Sequence, residues 1–216
     1  MKKVLALVLS MLMVLSFGAI SASAEGEIIE VMYGGGTPES LDPALNSAST
    51  GSNTIRLAFC GLLGTQVVDG EVFTNQPELA ESYTVSEDGL VYTFVLRENL
   101  KWSDGSALTA ADFEYAWKRA AASATGADYS YMFAGIKGYP DNLAVTASED
   151  GKTLTVELTA PCAYMLDLAA FPTFFPVPKA AIEAADPDGT NPEAWCKEAG
   201  FISNGAFTCT EWKHNE

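Results

Sequence analysis

Apolar and polar positions alternate most clearly over Leu90–Leu96 and Lys152–Leu158, and each stretch is led in by Ser-Glu-Asp-Gly, at Ser86–Gly89 and Ser148–Gly151. A period of two sends alternate side chains to one face of a strand. Asp-Gly between extended runs marks a tight turn, because glycine enters positive φ without steric cost. Both stretches are therefore expected as antiparallel hairpins of a single sheet. Shorter alternation predicts two more strands, Ile28–Tyr33, halted by Gly34-Gly35-Gly36, and Ala206–Trp212. The latter has no partner strand after it, so the native chain is expected to continue beyond Glu216.

Helical spacing appears between these runs. Ile55, Ala58, Phe59 and Leu62 share a face over Asn53–Leu63. Thr109 opens a second helix, Ala110–Ala122, with Asp112 placed as in a capping box and Phe113, Trp117 and Ala120 on the inner face. A third is expected to start at Thr159-Ala160-Pro161 and to end at Phe171-Pro172, since proline is tolerated only in a first turn. Phe174–Pro178 then reads as extended, Lys179–Ala185 as a short helix, and Asp186–Gly189 as a turn.

The first residues form a different pattern. Lys2 and Lys3 precede an uncharged run, Val4–Phe17, and Ala22-Ser23-Ala24 supplies small residues. This predicts a secretory signal cleaved after Ala24. A membrane anchor is the competing reading, but no positive flank follows Ile20. With Cys60 the first cysteine, a lipid attachment near the cleavage point is not expected. The mature chain should be released outside the cytoplasmic membrane.

Composition narrows the function classes. A net charge of −16 argues against nucleic acid, whose backbone requires clustered Lys and Arg. With 48% hydrophobic residues the chain can fill a core. Four cysteines in an exported chain allow three full pairings, and Cys196–Cys209 is the leading candidate for a disulfide. The alternative is four buried thiols. A single histidine, His214, and no Cys-x-x-Cys give no zinc site, and no cofactor is expected. Neither a Gly-x-Ser-x-Gly elbow nor a His-Glu-x-x-His helix is present, so no enzyme is expected.

One block is more specific than any of this. Leu79-Ala80-Glu81-Ser82-Tyr83, Tyr92-Thr93-Phe94, Lys101-Trp102-Ser103-Asp104-Gly105 and Thr109–Arg119 follow one another, with Leu41-Asp42-Pro43 upstream and Ser203-Asn204-Gly205-Ala206-Phe207 downstream. The chain resembles the family 5 extracellular solute-binding proteins, the oligopeptide- and dipeptide-binding components of ABC importers. The stretch between Ile136 and Val145 is shorter than peptide-binding relatives usually carry.

The resemblance implies an α/β, periplasmic-binding-protein-like fold of type II, in the large peptide-binding cluster. Only the first lobe would be present, and that incompletely. Residues 25–59 and 179–216 would form part of a sheet-centred domain, and 60–178 an inserted α/β domain with antiparallel hairpins. The implied function is capture of oligopeptides for import, with an ABC permease as membrane partner and a monomeric full-length protein. A dipeptide, sugar, opine or nickel chelate on the same fold is the alternative ligand. An exported adhesion or signalling protein is a further alternative. Asn46, Ser47 and Ser49 match a ligand-facing stretch, with Ser47 where oligopeptide binders can present a glutamate, and Tyr129 matches a cleft-facing tyrosine.

Overall fold

The structure, a computed structural model, describes residues 36–214. The expected strand Ile28–Tyr33 and the signal ending at Ala24 lie outside the described residues. The described residues form one compact unit.

Four strands make the main sheet: β3 (Ala80–Val85), β4 (Val91–Leu96), β5 (Val145–Ala147) and β6 (Thr153–Glu157), all antiparallel in the order β3-β4-β6-β5. The two Ser-Glu-Asp-Gly turns are built alike. Gly89 and Gly151 both sit at φ 71°. Ser86 Oγ accepts the Val91 N–H at 2.9 Å, and Ser148 Oγ accepts the Thr153 N–H at the same distance. Local side-chain bonds thus satisfy the amides that a reversing chain would leave open. The two hairpins then join through β4 and β6, where Phe94 lies opposite Leu154.

The alternation works as anticipated. Tyr92, Phe94 and Leu96 on β4, and Leu154 and Val156 on β6, are buried. Helix α2 (Ala110–Ala121) covers that face with Phe113, Trp117 and Ala120, each fully buried. It starts where Asp112 Oδ2 accepts the Thr109 N–H at 2.8 Å, which satisfies one of the amides a helix start leaves unpaired. The Trp117 indole donates to the Phe174 carbonyl at 2.7 Å, and its ring meets Phe174 edge-on at 5.0 Å. Phe174 in turn stacks on Phe133 at 4.1 Å. Trp102 is buried as well.

A third hairpin was not anticipated. β1 (Leu63–Val68) and β2 (Glu71–Pro77) pair antiparallel, with Val67 opposite Val72. Asp69 and Gly70 form its tip, both at positive φ. Leu63 is buried at the base, whereas Val67, Val68, Val72 and Phe73 are exposed along the arm.

Other expectations need correction. Helix α1 is Ser49–Ala58, so it starts four residues before Asn53 and stops before Phe59, whose backbone is extended. No helix starts at Pro161: Thr159 donates its N–H and its hydroxyl to the Gly135 carbonyl at 2.9 and 3.1 Å, which holds it extended. Helix α3 is only Met165–Ala169. Phe174 belongs to a 3-10 turn, Pro172–Phe174, and the extended segment begins at Phe175. Helix α4 is Lys179–Ala185, as expected.

Ala206–Trp212 forms no strand. The chain there caps α1 instead. Asn204 and Gly205 donate their N–H groups to the Ala58 carbonyl at 3.2 and 2.7 Å, and Phe207 donates to Leu57 at 3.1 Å. These carbonyls are the acceptors that a helix end leaves open. A Cβ added to Gly205 would lie 2.5 Å from the Ala58 carbonyl carbon, so only glycine allows the approach.

The expected disulfide is also absent. All four cysteines are free thiols. Cys196 Sγ is directed at the Glu193 carbonyl and Cys209 Sγ at the Glu211 carbonyl, each at 3.6 Å. Burial, followed by the Glu78 carboxylate, pushes the Cys60 thiol up to about 12. Burial likewise raises Cys196.

Candidate ligand site

The turn Leu41-Asp42-Pro43 fixes the loop that precedes α1. Asp42 is fully buried and accepts the Ala44 N–H at 2.9 Å. Arg119 on α2 grips it bidentately, at 3.0 and 2.7 Å, and the Trp195 indole donates to it at 3.0 Å. Arg119 also donates to the Pro192 carbonyl at 3.0 Å. Burial pulls the Arg119 pKa down, but the adjacent Asp42 carboxylate outweighs it and holds the guanidinium above its ordinary value. A buried pair of this kind survives because both carboxylate oxygens accept two hydrogen bonds each and the guanidinium finds a further acceptor in Pro192.

Beyond that anchor the chain carries Asn46 to Ser49 into α1. Asn46 is buried, and its amide donates to the Ala48 carbonyl at 3.0 Å. Its Oδ1 has no hydrogen-bond partner and would lie 1.9 Å from a Cβ on Gly51, so the glycine is required. Ala48, at the N-cap of α1, has no side-chain oxygen. The first-turn amides of α1 therefore have no side-chain cap.

The opposite wall comes from the segment after α2. Tyr129 donates its hydroxyl to the Ser47 carbonyl at 3.2 Å, and Ser47 Oγ donates to Asp128 Oδ2 at 2.8 Å. The Tyr129 ring is held edge-on by Tyr131 at 6.2 Å and by Phe171 at 5.8 Å. Between the walls lies a cavity of about 310 Å³ that brings together Asn46, Ser47, Ser49 and Tyr129, with Phe171 and Thr173. Thr173 is buried, and its hydroxyl has no partner.

All four side chains singled out from the sequence thus meet around one cavity. Asp128, Phe171 and Thr173 were not singled out. Phe171-Pro172-Thr173 was legible only as the end of a helix, and Asp128 only as one acid among 28. A larger hollow, about 460 Å³, lies on α2 beside Tyr115, Lys118 and Lys179. Its ammonium groups are already engaged by Glu114 and Glu183.

The described residues thus form a mixed α/β scaffold with a polar, aromatic-walled cavity. The chain belongs to the bacterial extracellular solute-binding proteins, family 5, whose middle portion matches residues 74–216. It is 35% identical over 204 residues to the dipeptide-binding protein DppE of Bacillus subtilis, covering 90% of this chain and 36% of that protein. It is 38% identical over 191 residues to the oligopeptide-binding protein OppA of the same organism, covering 82% and 32%.

Solved structures agree. The murein tripeptide binding protein MppA of Escherichia coli superposes with a TM-score of 0.71 at 35% identity, over 84% of this chain and 35% of that one. Haemophilus influenzae OppA in complex with the peptide RPPGFSPFR gives 0.73 at 29% identity, over 84% and 36%. These relatives are of the type II periplasmic-binding-protein fold, and by name they are binding proteins. The chain spans about a third of their length.

Proposed function

We propose that this chain supplies one wall of a peptide-binding site in the solute-capturing component of an ABC importer, working outside the cytoplasmic membrane after cleavage following Ala24. The observation that carries this reading is the cavity in which Asn46, Ser47, Ser49 and Tyr129 converge. Its volume is that of a small-ligand pocket, and its polar atoms are few and placed. Capture is non-covalent: extended peptide backbone pairs with exposed main-chain and hydroxyl groups, while water fills what the side chains leave. In this reading residues 25–59 and 179–216 belong to a sheet-centred domain and 60–178 to an inserted one. The full-length protein acts as a monomer and presents its closed form to a membrane permease.

Isothermal titration with a mixed tri- to pentapeptide library tests the proposal. Saturable binding that weakens in Tyr129→Ala is expected. Binding unaffected by Tyr129→Ala would move the site elsewhere. A second reading, a different small solute in the same cavity, is favoured by the uncharged Ser47, and heat from a sugar or metal chelate but not from peptides would select it.

A further inference from the structure

A further cavity, of about 280 Å³, opens between the 3-10 turn Ser130–Phe133, the residues after β6 and helix α3, and it shares no lining residue with the cavity at Ser47. Local structure fixes its walls. Phe133 is locked into the core against Phe174, while the adjacent Tyr131 and Met132 line the hollow. Ile136 forms an isolated antiparallel bridge with Leu158, and the Gly135 carbonyl accepts both the N–H and the hydroxyl of Thr159. Tyr92 in turn donates its hydroxyl to the Cys162 carbonyl at 3.2 Å, which holds the segment leading into α3. The cavity is thus preformed.

Met132, Ile136, Leu158, Met165 and Leu168 give it an apolar lining, and none of the residues around it is charged. An ion would find no counter-charge there, and an anion would also meet the −16 net charge of the chain. Two methionines suit an aromatic body, since their polarizable sulfurs favour ring contacts. At the mouth stand Tyr131 and Tyr164, 60% and 62% exposed, and among the described residues neither hydroxyl has a hydrogen-bond partner. Each can donate to an acceptor carried by a ligand. Size sets the scale: an apolar cavity of about 150 Å³ already holds benzene, so this one has room for a ring and a short polar substituent.

We propose that this cavity is a second binding site, separate from the one at Ser47 and Tyr129, for a small neutral molecule with an aromatic body and a carbonyl oxygen. The body lies among Met132, Met165 and Leu168, and the oxygen accepts from Tyr131 or Tyr164. The site stands whether or not the other cavity takes a peptide.

Titration of the full chain with acetophenone, benzoate and ethylbenzene, probes of similar size, is the test. Acetophenone should bind saturably. Benzoate should bind about tenfold more weakly or worse, because its charge goes uncompensated, and ethylbenzene about fivefold more weakly, because it has no acceptor. The double variant Tyr131→Phe, Tyr164→Phe keeps both rings and should lower acetophenone affinity about fivefold while leaving ethylbenzene unchanged. Gly135 lines the cavity, its φ is not positive, and a Cβ built on it meets nothing within 4 Å. Gly135→Leu therefore fills the space without backbone strain and should abolish binding of both neutral probes. Cys162, a half-buried thiol in the lining, reports the place: acetophenone should slow its alkylation by N-ethylmaleimide in the unaltered chain and not in Gly135→Leu. Ala-Ala-Ala should not displace the probe. Absence of saturable binding, benzoate binding as tight as acetophenone, or no protection of Cys162 would each overturn the proposal. Displacement by Ala-Ala-Ala would do so as well, by making the hollow part of the peptide site. If the tripeptide itself does not bind, only the reading of the other cavity falls.

Discussion

Asn204 clasps Cys60 with both ends of its amide: Oδ1 accepts the Cys60 N–H and Nδ2 donates to the Cys60 carbonyl, each at 3.1 Å. One side chain thereby completes two backbone groups at the point where α1 gives way to β1, 144 residues away in sequence. Asn204→Ala leaves both without that partner and should destabilise the chain by ~1–3 kcal/mol in urea melts. Asn204→Asp, which can accept but not donate, should be no better. A midpoint shift no larger than that of an ordinary surface change would mean the clasp is dispensable.

Trp117 combines packing and a polar bond, and two variants separate them. Trp117→Ala should cost ~3–5 kcal/mol, the usual range for emptying a buried aromatic site. Trp117→Phe keeps most of the ring but leaves the Phe174 carbonyl without its donor, for a smaller loss of ~1–3 kcal/mol. Equal losses in chemical denaturation would show that the indole N–H contributes nothing.

The Asp42–Arg119 pair offers a sharper asymmetry. Arg119→Ala strands a fully buried carboxylate and should cost ~3–5 kcal/mol. Asp42→Asn should be milder, because the amide oxygen can still accept from Arg119. The loop from Asn46 to Ser49 hangs from this anchor, so ligand affinity should fall in Arg119→Ala even under conditions where the chain stays folded.

Acid should act through the twin turns. Hydrogen bonds from Ser86 and then Leu90 hold the Asp88 carboxyl below the usual aspartate range, and those from Ser148 and then Lys152 do the same for Asp150. A depressed carboxyl contributes stability above its unfolded pKa and loses it as pH falls through the folded one. The double variant Asp88→Asn, Asp150→Asn should therefore melt lower than the unaltered chain at neutral pH. The gap should close as pH falls below the ordinary aspartate range. A gap of unchanged size in acid would exclude this origin.

The thiols give a chemical check. With Cys60 pushed up to about 12 and Cys196 also raised, both should resist iodoacetamide in the native state at mildly alkaline pH. Unfolding in urea should expose four reactive thiols per chain, counted by mass after alkylation. Recovery of only two would restore the disulfide between Cys196 and Cys209.

What could be read from the sequence depended on whether the deciding interaction was local. The hairpins at Ser86–Gly89 and Ser148–Gly151 were legible because their turns are closed by bonds within five residues. Asp69-Gly70 carries the same dipeptide, but its flanks pair Val67 with Val68 and place Thr and Gln where alternation would be sought, so the period was hidden. Ala206–Trp212 alternates yet forms no strand, because the amides leading into it are claimed by the end of α1. Helix α1 begins early in Ser-Thr-Gly-Ser, where no capping side chain marks the start. For the site, Asn46, Ser47, Ser49 and Tyr129 came from family resemblance. The bond from Ser47 to Asp128 spans 81 residues and leaves no trace in spacing.

The buried knot around Asp42 has an order of assembly written into it. Arg119 lies 77 residues downstream of Asp42, and Trp195 lies 153. During synthesis from the N-terminus, at roughly 5–20 residues per second, the loop bearing Ser47 is made long before the indole that completes its anchor. Until Trp195 clears the ribosome, Asp42 lacks the indole donor that completes its set of hydrogen bonds. The wall of the candidate cavity is thus among the first parts of this region to be translated and among the last to be locked, an interval in which a chaperone could hold the nascent chain with the cavity unformed.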